Sequence, residues 1–324
     1  MTDAAAEDQD RLAHLPVTFF AVVMGLAGLT LALHRAELAF GWPHAASLTT
    51  LWASGATFVA IAGLYLAKIV RHPDAVAAEW HHPVKLAFFP AISISILLIA
   101  TALRPFSDTV AHALWLLGVT AQGALTLAVL SGWIGKRPFQ PMHISPAWFI
   151  PAVGNVLVPL AGVPLGYIEV PWLFFSAGML FWLVLLTLVF NRLIFHDPLP
   201  GRLYPTLAIL IAPPAVGMLA WLQLNGGSLD AVARGLYALT ILFAALFATQ
   251  VPGLRRLPFA LSWWALSFPL AALTVATFVH ADQIGSNGYR VAGALLLVLL
   301  AATITGLVLR TGAAIARGEI CRPE

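Results

Sequence analysis

The sequence predicts an all-α membrane protein: ten transmembrane helices paired as five quasi-symmetric hairpins around a central pore, in one domain over residues 1–324. Three observations predict it. Of the 324 residues, 60% are hydrophobic and only 10% charged, and the mean hydropathy is +0.89. A soluble domain carries about a quarter charged residues, so this chain belongs in a bilayer. Prolines recur in alternate apolar segments, and the basic residues segregate to alternate connections.

Ten helices of ~20 residues use about 200 residues, which matches the apolar fraction. The spans fall at about 16–34, 47–69, 86–103, 110–132, 147–164, 171–194, 203–223, 231–250, 259–279 and 290–310. In every odd span a proline sits inside or at the mouth: Pro16 in LPVTFFAV, Pro90 in FFPAISIS, Pro151 in FIPAVGN, Pro213 and Pro214 in IAPPAVG, and Pro269 in LSFPLAA. Proline removes a backbone donor and crowds the preceding turn. In a bilayer the freed carbonyls persist only where protein or a water-lined path satisfies them. The repetition at ~55–75 residues reads as repeated hairpins whose first helices surround a pore, with the second helices in an outer, lipid-facing ring.

The basic residues set the orientation. With a cytoplasmic N-terminus and ten spans, the inside holds Arg11, Lys68, Arg71, Lys85, Lys136, Arg137, Arg192, Arg202, Arg255, Arg256, Arg310, Arg317 and Arg322. The outside holds Arg35, Arg104, Arg234 and Arg290, so all seventeen Lys and Arg divide thirteen to four. Residues 1–14 and 311–324 are then cytoplasmic tails. The polar connection 68–85 is cytoplasmic too. The acidic start, MTDAAAEDQD, does not read as a signal peptide. The lone cysteine, Cys321, permits no intramolecular disulfide.

The odd segments carry small and hydroxyl residues, Gly25, Gly28, Ser93, Ser95, Gly154, Asn155, Gly217 and Ser267, which let helices approach closely. Carboxylates fall at helix ends or in connections, so the coupling group that proton-driven carriers keep inside the membrane is missing. The histidines also read as solvated residues at helix ends, with no pair placed for a haem and no metal expected. No Walker A loop, GxSxG elbow or HExxH motif is present. An enzyme is not expected, and neither is a cofactor or a nucleic-acid partner.

Several stretches resemble the tellurite-resistance/dicarboxylate transporter family, which includes bacterial TehA-like channels, fungal malate permeases and sulfite pumps, and the slow anion channels of plant guard cells. Glu79-Trp80-His81-His82-Pro83-Val84-Lys85, running on to Phe88-Phe89, is similar to the entry to that family's third helix. Trp148 to Asn155 resembles its fifth, and Leu173 to Met179 with Trp182 its sixth. Ile211-Ala212-Pro213-Pro214 resembles the seventh, and Trp264-Ala265-Leu266-Ser267-Phe268 the ninth. The matches run in order from about residue 15 to 310.

The resemblance implies ten helices in five hairpins, a trimer with a pore in each protomer, and a pore-occluding phenylalanine at the position of Phe268. Two departures stand out. Thr18 and Ala21 occupy first-helix positions where bacterial relatives often carry glycine, and Pro269 directly follows Phe268.

A phenyl ring in a narrow apolar pore blocks the path and disfavours water, closing it to a hydrated ion. Candidate lining residues beside Phe268 are Pro16, Phe19, Phe20, Pro90, Ser93, Pro151, Asn155, Pro213, Pro214, Ser267 and Pro269. Lys85, Lys136, Arg137, Arg202, Arg255 and Arg256 would ring the inner mouth and concentrate anions there. The reading is a gated passive anion channel, in contact with lipid and with small inorganic or organic anions. The alternative is a secondary transporter of C4-dicarboxylate, sulfite or tellurite-type oxyanions.

Overall fold

The structure, a computed structural model, describes residues 11–135 and 139–322. Lys136 and Arg137 lie outside the described residues. Every regular element described is helical. In chain order these are α1 (Val17–Phe40), α2 (Ala45–Arg71), α3 (Pro73–His81), α4 (Lys85–Leu103), α5 (Asp108–Ile134) and α6 (Pro146–Gly162). They continue as α7 (Glu169–Phe195), α8 (Gly201–Leu224), α9 (Ala231–Leu254), α10 (Leu261–Ile284) and α11 (Asn287–Ala316). Among the described residues nine helices are long and apolar enough to cross a membrane; α6 is apolar but shorter, and α3 is short. This is a multi-pass membrane protein.

The prolines do not break α-helices at mid-length in the way the sequence suggests. Each proline-bearing segment begins as a 3₁₀-helix and becomes α-helical further on. In α1 the 3₁₀ turn is Val17–Phe19, behind Pro16; in α4 it is Lys85–Phe88, and Pro90 caps the α-helical part. In α8 the 3₁₀ stretch runs eleven residues, Gly201–Ile211, before Pro213 and Pro214 enter the first α-turn. In α10 it covers Leu261–Leu266, just ahead of Pro269. A proline in the first α-turn gives up an N–H that has no intrahelical partner there. The cost is therefore shifted to carbonyls of the preceding turn.

Segment α6 is the most interrupted, running 3₁₀, α, 3₁₀ and α in turn between Pro146 and Gly162. Side chains of α5 satisfy its loosened carbonyls. Thr126 Oγ1 donates to the Pro151 carbonyl at 3.0 Å and Gln122 Nε2 lies 3.3 Å from it, while Trp115 Nε1 donates to the Val158 carbonyl at 3.0 Å.

Burial alternates along the chain. In the apolar windows of α1, α4, α8 and α10 two thirds or more of the residues are buried; in α2, α5, α7, α9 and α11 a third or fewer are. The latter helices carry the large exposed apolar side chains, such as Trp52, Leu127, Leu173, Leu242 and Val298. Such a surface is at no disadvantage against lipid tails, which are as apolar as leucine. The proline-bearing segments pack in a closed circuit: α1 on α4, α4 on α6, α6 on α8, α8 on α10, and α10 back on α1. Each also packs on the long helix that follows it. The Arg11 guanidinium reaches Gly318, so the two ends of the described chain meet.

Two expectations need correction. The connection 68–85 is not merely a polar loop: it contains α3, and Lys68 and Glu79 are buried, with the Lys68 Nζ 3.1 Å from Glu79 Oε2. The reason is compensation, because each charge finds its counter-charge and further hydrogen bonds. Nor are all the histidines solvated. His280 is buried and stacks on Tyr237 with ring centroids 4.1 Å apart.

At the start of α9, Asp230 caps the helix. The Ala233 N–H holds its carboxyl below the usual range, with Trp221 Nε1 adding to the effect.

Candidate functional site

Two cavities lie within the circuit. The smaller, about 70 Å³, is lined from the early parts of the proline-bearing segments: Thr18 and Ala21 of α1, Phe88 and Ile94 of α4, Phe149 to Leu157 of α6, Ile209 to Val216 of α8, and Leu261 to Pro269 of α10. The larger, about 380 Å³, is lined from the later parts of the same segments and the turns that follow. Its wall includes Leu31, His34 and Arg35 of α1, Thr101 and Arg104 around the end of α4, Leu160 and Pro164 around the end of α6, Gln223 of α8, and Val275 of α10. No residue of α2, α5, α7, α9 or α11 lines either one.

Phe268, Leu157 and Val216 border both cavities. The ring of Phe268 is half-buried and is received by α1 at a glycine. A β-carbon at Gly28 would lie 3.5 Å from Phe268 Cδ2 and 2.8 Å from the Ala271 β-carbon. The second distance is shorter than packed carbons tolerate, so glycine is what lets α10 approach α1 and seat the ring. Pro269, one residue on, is in the first α-turn and lines the smaller cavity.

The other candidates from the sequence divide into groups. Pro213 lines the smaller cavity together with Phe268 and Pro269. Ser93, Asn155 and Ser267 are buried and turned toward protein partners. The Ser93 hydroxyl sits 2.7 Å from Gln122 Oε1 and 2.9 Å from the Pro90 carbonyl. Asn155 donates to the Ala152 carbonyl at 2.9 Å, and its Oδ1 lies 3.1 Å from Thr126 Oγ1. Ser267 donates to the Trp264 carbonyl at 2.7 Å. These hydroxyls and amides hold the interrupted segments together.

Phe20 packs on Phe58 and Tyr65 of α2 with centroids 6.1 and 5.9 Å away, and Phe19 is buried in the apolar core. Pro90, Pro151 and Pro214 are buried; Pro16 is half-buried. Of the expected inner-mouth cations, Arg202, Arg255 and Arg256 are exposed and Lys85 is half-buried.

Among the described residues, the charges that line a cavity are Arg35 and Arg104, with the imidazole of His34. No carboxylate among the described residues lines either cavity. The sequence places both arginines on the outer side but gives no sign that they share a wall. That follows from helix ends converging in space.

The sequence reading also missed the clamp on the first segment. Lys68 Nζ donates to the Leu15 carbonyl at 2.8 Å, Tyr65 Oη to Glu79 Oε2 at 2.9 Å, and the Val17 N–H points at Glu79 Oε1 at 3.4 Å. The backbone on both sides of Pro16 is thereby fixed. A lysine at the end of an apolar helix, eleven residues before a glutamate, is a faint signal in one dimension.

The family model described as voltage-dependent anion channel, SLAC1, matches residues 14–312. The chain belongs to this family. Among relatives of the SLAC1-family chain, the S-type anion channel SLAH3 of Arabidopsis thaliana is 29% identical over 310 residues, covering 93% of this chain and 48% of that protein. The guard cell S-type anion channel SLAC1 of the same plant is 25% identical, with 84% and 51% covered. The tellurite resistance protein TehA homolog of Haemophilus influenzae is 27% identical, with 83% and 82% covered. The chain thus spans about half the length of these plant relatives and most of the bacterial one. The plant relatives are named as S-type anion channels and the bacterial one as a tellurite resistance protein.

Proposed function

We propose that the protein is a gated, passive anion channel of the cytoplasmic membrane, whose pathway runs through the two cavities and is closed by Phe268. The observation that carries this reading is that Phe268, with Leu157 and Val216, borders both cavities while no residue of the five long intervening helices borders either. In this reading the route between the cavities passes Phe268, and moving its ring aside joins them.

The five proline-bearing segments are the inner helices of five hairpins, with α2, α5, α7, α9 and α11 outside. The closed circuit of contacts supports this arrangement, as does the alternation of burial. Segment α6 makes the tenth crossing, since an even number of crossings accounts for Arg11 meeting Gly318. The positive-inside asymmetry puts that end in the cytoplasm. The assembly is a homotrimer by family resemblance, each protomer with its own pathway.

Selectivity has two sources. Arg35 and Arg104 raise the local anion concentration in the larger cavity, and Lys85, Arg202, Arg255 and Arg256 do so at the opposite mouth. The smaller cavity has an almost wholly apolar wall. Ions that shed water cheaply enter it best, so weakly hydrated anions are favoured. Among the described residues no carboxylate lines either wall, which favours passive flow over proton coupling.

Flux into proteoliposomes tests the reading. Anions should run down their own gradient, with weakly hydrated ones fastest, and collapse of a proton gradient should leave the rate unchanged. Uphill accumulation driven by a proton gradient would replace the channel with a coupled oxyanion transporter.

A further inference from the structure

We propose that His34, Glu37 and His44 form a binding site for Zn²⁺ at the rim of the larger cavity. His34 and Glu37 stand three residues apart near the end of α1 and share a face. Gly41 then takes a left-handed conformation, φ 67°, and turns the chain back so that His44 and Ser47 come over Glu37. One ligand atom from each of the three residues lies within 4.8 Å of the others. His44 Nδ1 is 3.2 Å from Glu37 Oε2, and the two imidazole centroids are 4.9 Å apart.

Two features mark this as more than a chance cluster. The Nδ1 of His34 is buried and makes no hydrogen bond, an unsatisfied ring nitrogen on one of the three residues. The Glu37 carboxylate is buried and already oriented, receiving the Ser47 N–H at 2.8 Å and the Ser47 hydroxyl as well. Second-sphere bonds of this kind fix the direction of a ligating carboxylate.

Two imidazoles and one carboxylate with a fourth position open match zinc, whereas magnesium and calcium take all-oxygen sets. Tetrahedral zinc at about 2.0–2.1 Å needs ligands about 3.4 Å apart. The cluster must therefore draw in by up to about 1.4 Å, which rotation of the imidazole side chains can do. Phe106 stands against both imidazoles, with centroids 6.0 and 6.4 Å away, and walls the site with an apolar edge. Arg35 is adjacent and opposes a cation, while Asp282, which acts on Arg35, offsets part of its charge. His34 and Arg35 both belong to the cavity wall, so the open zinc position lies at that rim.

The test is zinc binding by the full-length protein in detergent, stripped of metal and titrated with ZnCl₂ in a calorimeter. One Zn²⁺ per protomer is expected, with affinity falling at least tenfold in His34→Ala and in His44→Ala. His44 is exposed, so its replacement does not threaten the fold. Zinc-edge X-ray absorption should show two imidazoles and no sulfur. Absence of binding, unchanged affinity in both variants, or a thiolate ligand from Cys321 would each overturn the assignment. Binding is read without any flux, so the outcome is independent of the channel reading.

Discussion

Lys68 and Glu79 form a buried ion pair, Nζ to Oε2 at 3.1 Å, between α2 and α3. Through it the backbone on either side of Pro16 is held: Lys68 takes the Leu15 carbonyl and Glu79 faces the Val17 N–H. The first segment of the circuit is therefore anchored by a charge pair in what the sequence presents as a polar connection.

Lys68→Met should destabilise the protein strongly, because it strands a buried carboxylate. Loss of one partner from such a pair costs about 3–5 kcal/mol. The double variant Lys68→Met/Glu79→Leu should recover a large part of that loss. Thermal unfolding in detergent measures both, and equal destabilisation of the single and double variants would show that the pair is not the source.

Phe268→Ala should raise anion conductance substantially while assembly is kept, and Phe268→Leu should fall between. The stability lost should be smaller than the ~3–5 kcal/mol typical of a core phenylalanine, since this ring faces cavity on two sides. Planar-bilayer recording checks the conductance. Wild-type conductance in a well-folded variant would remove Phe268 from the gate.

Gln122 and Thr126 share the Pro151 carbonyl, so removing them should be non-additive. Gln122→Leu or Thr126→Val alone leaves one donor in place. Together they leave a buried carbonyl without a partner, a cost of about 1–3 kcal/mol beyond the single losses. A double-mutant cycle on unfolding temperature gives the coupling directly.

Arg104→Gln should slow anion entry from the larger-cavity side at low ionic strength. Near 1 M salt the difference should shrink, because the screening length falls to about 3 Å. Flux measured across a salt series checks this. A deficit independent of salt would point to a packing defect instead of an electrostatic one.

Much of this was legible in one dimension because the bilayer simplifies the code. Helix lengths follow from hydrocarbon thickness, so the apolar runs and their order could be read directly. Most helices extend past the predicted ends. α1, for example, continues through His34, Arg35 and Glu37 to Phe40, since polar side chains at the membrane edge end the apolar run but not the helix. The recurring prolines marked five segments, yet the conformation of those segments was hidden. A proline in the first α-turn and one in mid-helix look alike in sequence, and the eleven-residue 3₁₀ stretch before Pro213 leaves no compositional mark.

Ser93, Asn155 and Ser267 illustrate the remaining gap. Their polarity and position suggested a wet wall, but their direction around the helix is fixed by which neighbour offers a hydrogen bond. For Ser93 that neighbour is Gln122, twenty-nine residues away. The sequence by itself determined the membrane class, the alternation of two helix types and the family, because these depend on local apolarity and spacing. Tertiary structure alone decided that Phe268 borders both cavities, that Arg35 and Arg104 share a wall, and that Lys68 meets Glu79. Those relationships depend on how segments converge in space, and burial makes each partner indispensable without leaving a signal in the spacing of residues.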